Sequence, residues 1–166
     1  MIFKTKRCYI RKLTEDDLAG MYELQGNPNV MRFASGDVLD EAACKQDIEY
    51  LLSQYEEASP ELLVWAVTDK EGTFIGTCAL ILRVKNQCEI GYRIVERFWG
   101  QGYATEIATG LVRYCQYMYP DHQLCAYCFT DNVASCKVLE KTGFQMKQEF
   151  FNESYGLQDR HYLYGT

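Results

Sequence analysis

The stretch that most restricts the fold of this chain is Gly91 to Glu106, GYRIVERFWGQGYATE. Its first part alternates like a strand, and its last part opens a helical spacing of apolar residues through Ile107, Leu111, Cys115 and Met118. Between them lie Gly100 and Gly102, which let the backbone turn sharply and approach a ligand closely. The first turn of the following helix has N–H groups without intrahelical partners and a positive partial charge, a setting that suits phosphate. One such dipole contributes only about 0.3–1 kcal/mol at an exposed site, so several N–H groups must converge on the same anion. The same glycines also suit a tight connection with no ligand. Two nucleotide-binding patterns fail against the letters. A P-loop needs Gly-Lys followed by Ser or Thr, which does not occur. A dinucleotide fold needs G-x-G-x-x-G after the first strand of a parallel unit, whereas Gly100-Gln101-Gly102-Tyr103-Ala104-Thr105 follows an expected antiparallel meander.

Elsewhere strands and helices alternate, with no linker or repeat. Cys8 to Leu13 reads as a strand, and Thr14-Glu15-Asp16-Asp17 as a capping-box-like helix start. The first helix carries Leu18, Met21, Tyr22 and Leu24 and ends at Gly26-Asn27-Pro28; Pro28 to Asp37 reads as irregular. Asp40 is the expected cap of a second helix with Cys44, Ile48, Leu51, Leu52 and Tyr55 on one face. Leu62 to Asp69, Thr73 to Arg83 and Cys88 to Val95 form the meander. A strand from Gln123 to Phe129, a helix from Val133 to Thr142 stopped by Gly143, and strands near Phe144 to Phe151 and Arg160 to Tyr164 complete the pattern. The expectation is a single domain over residues 1–166, of α/β (α+β) class. It has a mixed central sheet of about six to seven strands flanked by about four helices.

Charge narrows the partners. Lys plus Arg number 17 against 23 Asp plus Glu, a net of −6, and the basic residues do not cluster, so nucleic acid is disfavoured. No apolar run approaches the roughly 18 residues of a membrane span. Eight cysteines, at 8, 44, 78, 88, 115, 125, 128 and 136, are scattered among apolar positions. Met1-Ile2-Phe3-Lys4 lacks the apolar region of a secretory signal, so a reduced, cytoplasmic chain is expected. Cys125 and Cys128 form a C-x-x-C, but three residues along a strand they point to opposite faces, and His122 and His161 are the only histidines, so no metal site is expected.

Several segments together resemble a known family. Glu89-Ile90-Gly91-Tyr92, Phe98 through Glu106, Asp131-Asn132-Val133-Ala134-Ser135 and Leu139-Glu140-Lys141-Thr142-Gly143-Phe144 look like the GNAT superfamily of N-acetyltransferases. Arg11-Lys12-Leu13-Thr14 with Asp17, and Asn27-Pro28-Asn29-Val30, resemble the opening of its branch related to acetyltransferases of ribosomal-protein N-termini (alanine/serine). The resemblance spans nearly the whole chain. It implies a single GNAT-like domain, acetyl-CoA as cosubstrate without a metal, and a small-molecule or peptide amine as acceptor. A homodimer is left open. The family's pyrophosphate loop is written as Gln or Arg, two variable residues, Gly, one variable residue, and Gly or Ala. Arg97 to Gly102 fits it literally, but the frame from Trp99 to Ala104 sets Tyr103, Ala104 and Thr105 at the helix start, where free N–H groups must be. The implied cofactor contacts are therefore Gly100, Gln101, Gly102, Tyr103, Ala104 and Thr105, with Arg97 as an additional phosphate partner.

Acyl transfer from a thioester to an amine needs a neutral nucleophile, a stabilised oxyanion and a protonated leaving thiolate. Deprotonating a lysine side chain at pH 7 costs about 4–5 kcal/mol, against about 1–1.5 for an α-amine. A strong base is essential for the first and nearly optional for the second. By resemblance Glu89 is the candidate base, directly or through water, with a solvent-facing acid as the plain alternative. Ser135 is the candidate proton donor to the CoA sulfur, and Asn132 a holder of pantetheine groups; simple helix capping is their alternative. Ile94 and Val95 would offer backbone groups to the pantetheine arm. Tyr92, Tyr103 and Trp99 read as packing residues. Cys136 suggests an acyl-Cys route, but no histidine lies near it in sequence, and the resemblance favours direct transfer. Acceptor selection is expected in Pro28 to Asp37, the second helix and Asn152 to Arg160. An aminocyclitol or amino-acid acetyltransferase, and an acyl-CoA-binding module without turnover, stand as alternatives.

Overall fold

Helix starts and strand registers follow local chemistry closely. The structure is a computed structural model describing residues 1–165, which form eight strands and five α-helices. In chain order these are β1 (Phe3–Lys4), β2 (Tyr9–Lys12), α1 (Leu18–Gln25), α2 (Pro28–Met31), α3 (Glu41–Gln54), β3 (Leu62–Thr68), β4 (Phe74–Ile81) and β5 (Gln87–Ile94). Then come α4 (Tyr103–Met118), β6 (Gln123–Phe129), α5 (Val133–Lys141), β7 (Phe144–Asn152) and β8 (Leu157–Tyr164). A 3-10 turn, Glu15–Asp17, precedes α1, with the Thr14 and Asp17 side chains forming the expected capping box. Asp40 caps α3 by accepting from the Ala43 N–H at 2.8 Å.

The strands form one sheet in the order β1-β2-β3-β4-β5-β6-β8-β7, and only β5 and β6 pair in parallel, with α4 crossing between them. The class and the mixed sheet are as expected, with one strand and one helix beyond the expected counts. The extra strand is the two-residue β1, held by pairing with Ile10 and Tyr9. The extra helix is α2, one turn inside the segment read as irregular; the Asn27 side chain caps it by accepting from Asn29, and Pro28 suits its first position.

Alternation along the strands splits the core. Trp65 and Val67 of β3 face the large cluster under α4 and α5, whereas Ala66 faces the smaller one with Met21 of α1 and Ile48 and Leu51 of α3. Helix α4 buries Ile107, Ala108, Leu111, Val112 and Cys115, at roughly 1.5–3 kcal/mol for each large side chain. Met118, expected on that face, lies at the frayed end of the helix and is 49% exposed. Tyr22 of α1 likewise faces outward. Tyr55, just past α3, ties the helix to the sheet: its hydroxyl accepts from the Leu13 N–H and donates to the Val64 carbonyl. All eight cysteines are free and buried. Cys128 lies 3.3 Å from Cys136 and Cys88 3.4 Å from Cys115, sulfur to sulfur.

Candidate active site

The site begins where the sheet comes apart. β5 and β6 pair only at Gln87–Gln123, Cys88–Leu124 and Glu89–Cys125, after which the strands diverge. The Val95 N–H donates toward β4, to the Ile75 carbonyl at 3.0 Å. By alternation, Tyr92 and Ile94 direct their backbone groups toward the parted β6. The Ile94 carbonyl there accepts from the Trp99 indole at 2.7 Å, which pins the loop after β5. Of the two residues expected to serve the pantetheine arm, Ile94 thus faces the gap. Val95 does not: its carbonyl accepts from the Phe98 N–H, so both its backbone groups are committed within the protein.

At the mouth of the gap, Gly100 (φ 73°) and Gly102 (φ 81°) take the left-handed backbone that other residues rarely adopt, and they aim the chain into α4. The first main-chain bond of α4 runs from Glu106 N–H to Gly102 C=O, which leaves the N–H groups of Tyr103, Ala104 and Thr105 without intrahelical partners. Gln101 is held at both ends: its side chain donates to the Arg97 carbonyl and its own carbonyl accepts from Arg7 at 3.0 Å. Arg7 also pairs with Glu106 at 2.7 Å and stacks 4.2 Å over the Tyr103 ring. Burial would raise the Glu106 carboxyl, but Thr5 and Arg7 hold it below its ordinary range. The free N–H groups and the glycine turn fit a pyrophosphate. Arg97 points elsewhere, forming a two-pronged pair with Glu23 of α1 at 2.7 and 3.0 Å.

A cavity of about 550 Å³ fills the parted region and opens on both faces of the sheet. On the α4–α5 side, the Asn132 side chain caps α5 by accepting from the Ser135 N–H at 3.2 Å, the plain reading of that residue. Ser135 itself is doing more, since its Oγ lies 2.9 Å from the Tyr92 hydroxyl. Burial pushes the Tyr92 phenol up, with Ser135 opposing, so the ring keeps its proton at neutral pH. Tyr92, which the sequence reads as a packing residue, is thereby brought into the candidate site by its contact with α5. Cys136 is 3% exposed and turned into the core beside Cys128, whose thiol burial and Cys136 push up to about 12.

On the α1–α3 side, Glu89, Gly91 and Arg93 share one face of β5 by alternation. Glu89 stands at the last paired rung, and its carboxyl is pushed up by burial, opposed by Arg83 and reinforced by Asp159. A carboxylate shifted this way is a better base near neutrality. Phe33 from the 32–37 loop, Asp47 from α3, and Tyr155 and Asp159 from the β7–β8 hairpin line the same side. The three segments expected to select the acceptor therefore meet there.

This geometry has known counterparts. The acetyltransferase (GNAT) domain family matches residues 7–145. The Bacillus subtilis protein YkkB is 31% identical over 144 residues, covering 84% of this chain and 82% of its own. A Bacillus anthracis acetyltransferase of the GNAT family superposes with a TM-score of 0.84 at 21% identity, covering 96% of this chain and 95% of that one. The RimL ribosomal L7/L12 α-N-protein acetyltransferase in complex with coenzyme A superposes at 0.82 and 14% identity, covering 98% and 96%. A family match across most of the chain, and a fold that parts its sheet beside a glycine-led helix N-terminus, establish that this protein belongs to the GNAT family of acetyl-CoA-dependent acetyltransferases.

Proposed function

We propose that the chain transfers an acetyl group from acetyl-CoA to a primary amine, a protein N-terminus or a small amine, by direct attack while both substrates are bound. One observation carries this reading: Glu89 and the Tyr92–Ser135 hydroxyl pair sit on opposite faces of a single strand, at the one place where the sheet is open between them. The N–H groups of Tyr103, Ala104 and Thr105 receive the pyrophosphate, and Ile94 pairs its free N–H with the pantetheine arm across the gap. Bound acetyl-CoA supplies the activated acyl group. Glu89 takes the amine proton, directly or through water, and Ser135 donates its hydroxyl hydrogen toward the departing sulfur, with the Tyr92 phenol behind it. The eight free thiols support a reducing, cytoplasmic setting.

Thiol release from acetyl-CoA, measured over peptides, amino acids, polyamines and aminoglycosides, tests the proposal. Amine-dependent release that Glu89→Gln slows is expected. Tight acetyl-CoA binding with no turnover on any amine would instead identify a binding module.

A further inference from the structure

The α1–α3 side of the cavity contains a cation with no partner of its own. Of the eight arginines, Arg7, Arg11, Arg83, Arg97 and Arg160 hold a carboxylate within 4.0 Å, while among the described residues Arg32, Arg93 and Arg113 hold none, and of these three only Arg93 lines the cavity. Among the described residues nothing hydrogen-bonds or ion-pairs with the Arg93 guanidinium, although it lines the cavity. The acids around it keep their charge but none of them pairs with it. Asp47 accepts from the Gln25 amide at 2.6 Å, and Asp159 accepts from the Asn152 side chain and the Arg160 N–H. Glu89 is four residues away on the same strand, roughly 13 Å along it. Arg93 lines the cavity with an exposed side chain; crowding by neighbouring atoms opposes its charge, with Asp47 and Tyr155 acting against that effect. A guanidinium remains charged regardless, with five donors in a planar fork that matches a carboxylate.

We infer that Arg93 selects the acceptor, binding a carboxylate carried by the same molecule that presents its amine to Glu89. The acceptor is then an amino acid or a short peptide with an acidic group, and a polyamine is repelled because its second cation would have to lie beside Arg93. The inference rests on the proposed acceptor entry at the Glu89 face, and it adds the sign of the group recognised there. The net charge of −6 does not locate the acids, and the side chain assigned to the acceptor here is a cation on the Glu89 face.

The test compares kcat/KM for acceptor pairs that differ only in one side-chain carboxylate, dipeptides with Asp against Asn and Glu against Gln in the second position, with spermidine as the cationic reference. The carboxylate member is expected to exceed its amide partner by roughly tenfold to a hundredfold, the range of a charged hydrogen-bonded contact. That ratio should collapse toward unity in Arg93→Gln and recover in part in Arg93→Lys, which keeps the charge without the fork. Equal rates for acid and amide in the unaltered protein overturn the inference whether or not the variants fold, and so does a preference for spermidine. Failure of every amine overturns the transferase reading, and this one with it.

Discussion

Removing the Ser135 hydroxyl separates catalysis from architecture. Ser135→Ala leaves the Asn132 cap in place, because that bond uses the Ser135 backbone N–H. It removes the 2.9 Å contact to Tyr92, whose hydroxyl then keeps only a 3.4 Å approach to the Ser135 carbonyl. An unsatisfied buried hydroxyl costs about 1–3 kcal/mol; because this one borders an open cavity that water can enter, the low end, ~1 kcal/mol, applies. Alanine returns roughly 0.5 kcal/mol in helix propensity. The net loss of about 0.5 kcal/mol should lower Tm by about 1–2 °C in a chain of this size. Turnover should fall much further. Donation to a developing thiolate is a charge-assisted contact worth about 1.5–3 kcal/mol, so kcat should drop about 10- to 150-fold while acetyl-CoA affinity holds. The assay is thiol release at saturating acetyl-CoA beside calorimetric Kd and thermal melts, for Ser135→Ala, Tyr92→Phe and the double variant. Because the two hydroxyls act as a unit, the double variant should be little worse than Ser135→Ala alone. Wild-type kcat in Ser135→Ala, or losses that simply multiply in the double variant, would refute the reasoning.

Three further outcomes follow from the same geometry. Because burial raises the Glu89 carboxyl, the base becomes available only as pH climbs above the ordinary carboxylate range, so kcat/KM should show an acid limb displaced upward. Glu89→Gln should abolish that limb, cost about 10²- to 10⁴-fold at neutral pH and less at high pH, and leave stability equal or improved, since it removes a charge that burial disfavours. Arg7→Met should loosen the glycine turn by releasing the Gln101 carbonyl and Glu106, raising KM for acetyl-CoA by about fivefold, or ~1 kcal/mol, with less effect on kcat. Asp17 behaves oppositely to Glu89: burial alone would raise its carboxyl, but the two-pronged Arg11 pair at 2.7 Å and the Thr14 N–H hold it below its ordinary value. Its contribution is therefore present above the unfolded pKa of about 3.9 and is lost as pH falls through the lower folded value. Asp17→Ala should cost about 1–3 kcal/mol at pH 7 in urea unfolding, discounted by the partial exposure of Arg11, and progressively less as pH falls below the ordinary carboxylate range.

The parts of the fold read correctly from sequence are those in which a local signal repeats. The bounds of β6 match its strand-like run, and the start of α4 matches the glycine turn, because each depends on neighbours in the chain. β1 has no sequence signature, because two residues cannot display a period; its pairing with Ile10 and Tyr9 defines it. Asn27-Pro28 marks the end of α1 and, with the same residues, the start of the α2 turn, so one local signal serves two elements. Site residues divide along the same line. The free N–H groups at 103–105 follow from helix geometry alone. Arg97 was a reasonable phosphate partner by position, yet Glu23, 74 residues earlier, lies within reach and takes it. The Tyr92–Ser135 pair spans 43 residues and exists only because β5 and α5 meet across the gap, so no local pattern announces it.

The three rungs that join β5 to β6 act as the knuckle of a pair of tongs. Three rungs close the strands at the Glu89 end, and no fourth joins them at the Ile94 end, so the gap is narrow beside Glu89 and wide beside the glycine turn. Substitutions that add a fourth rung between the strands would stiffen the tongs, and their effect would fall on donor exchange before it reached the chemical step.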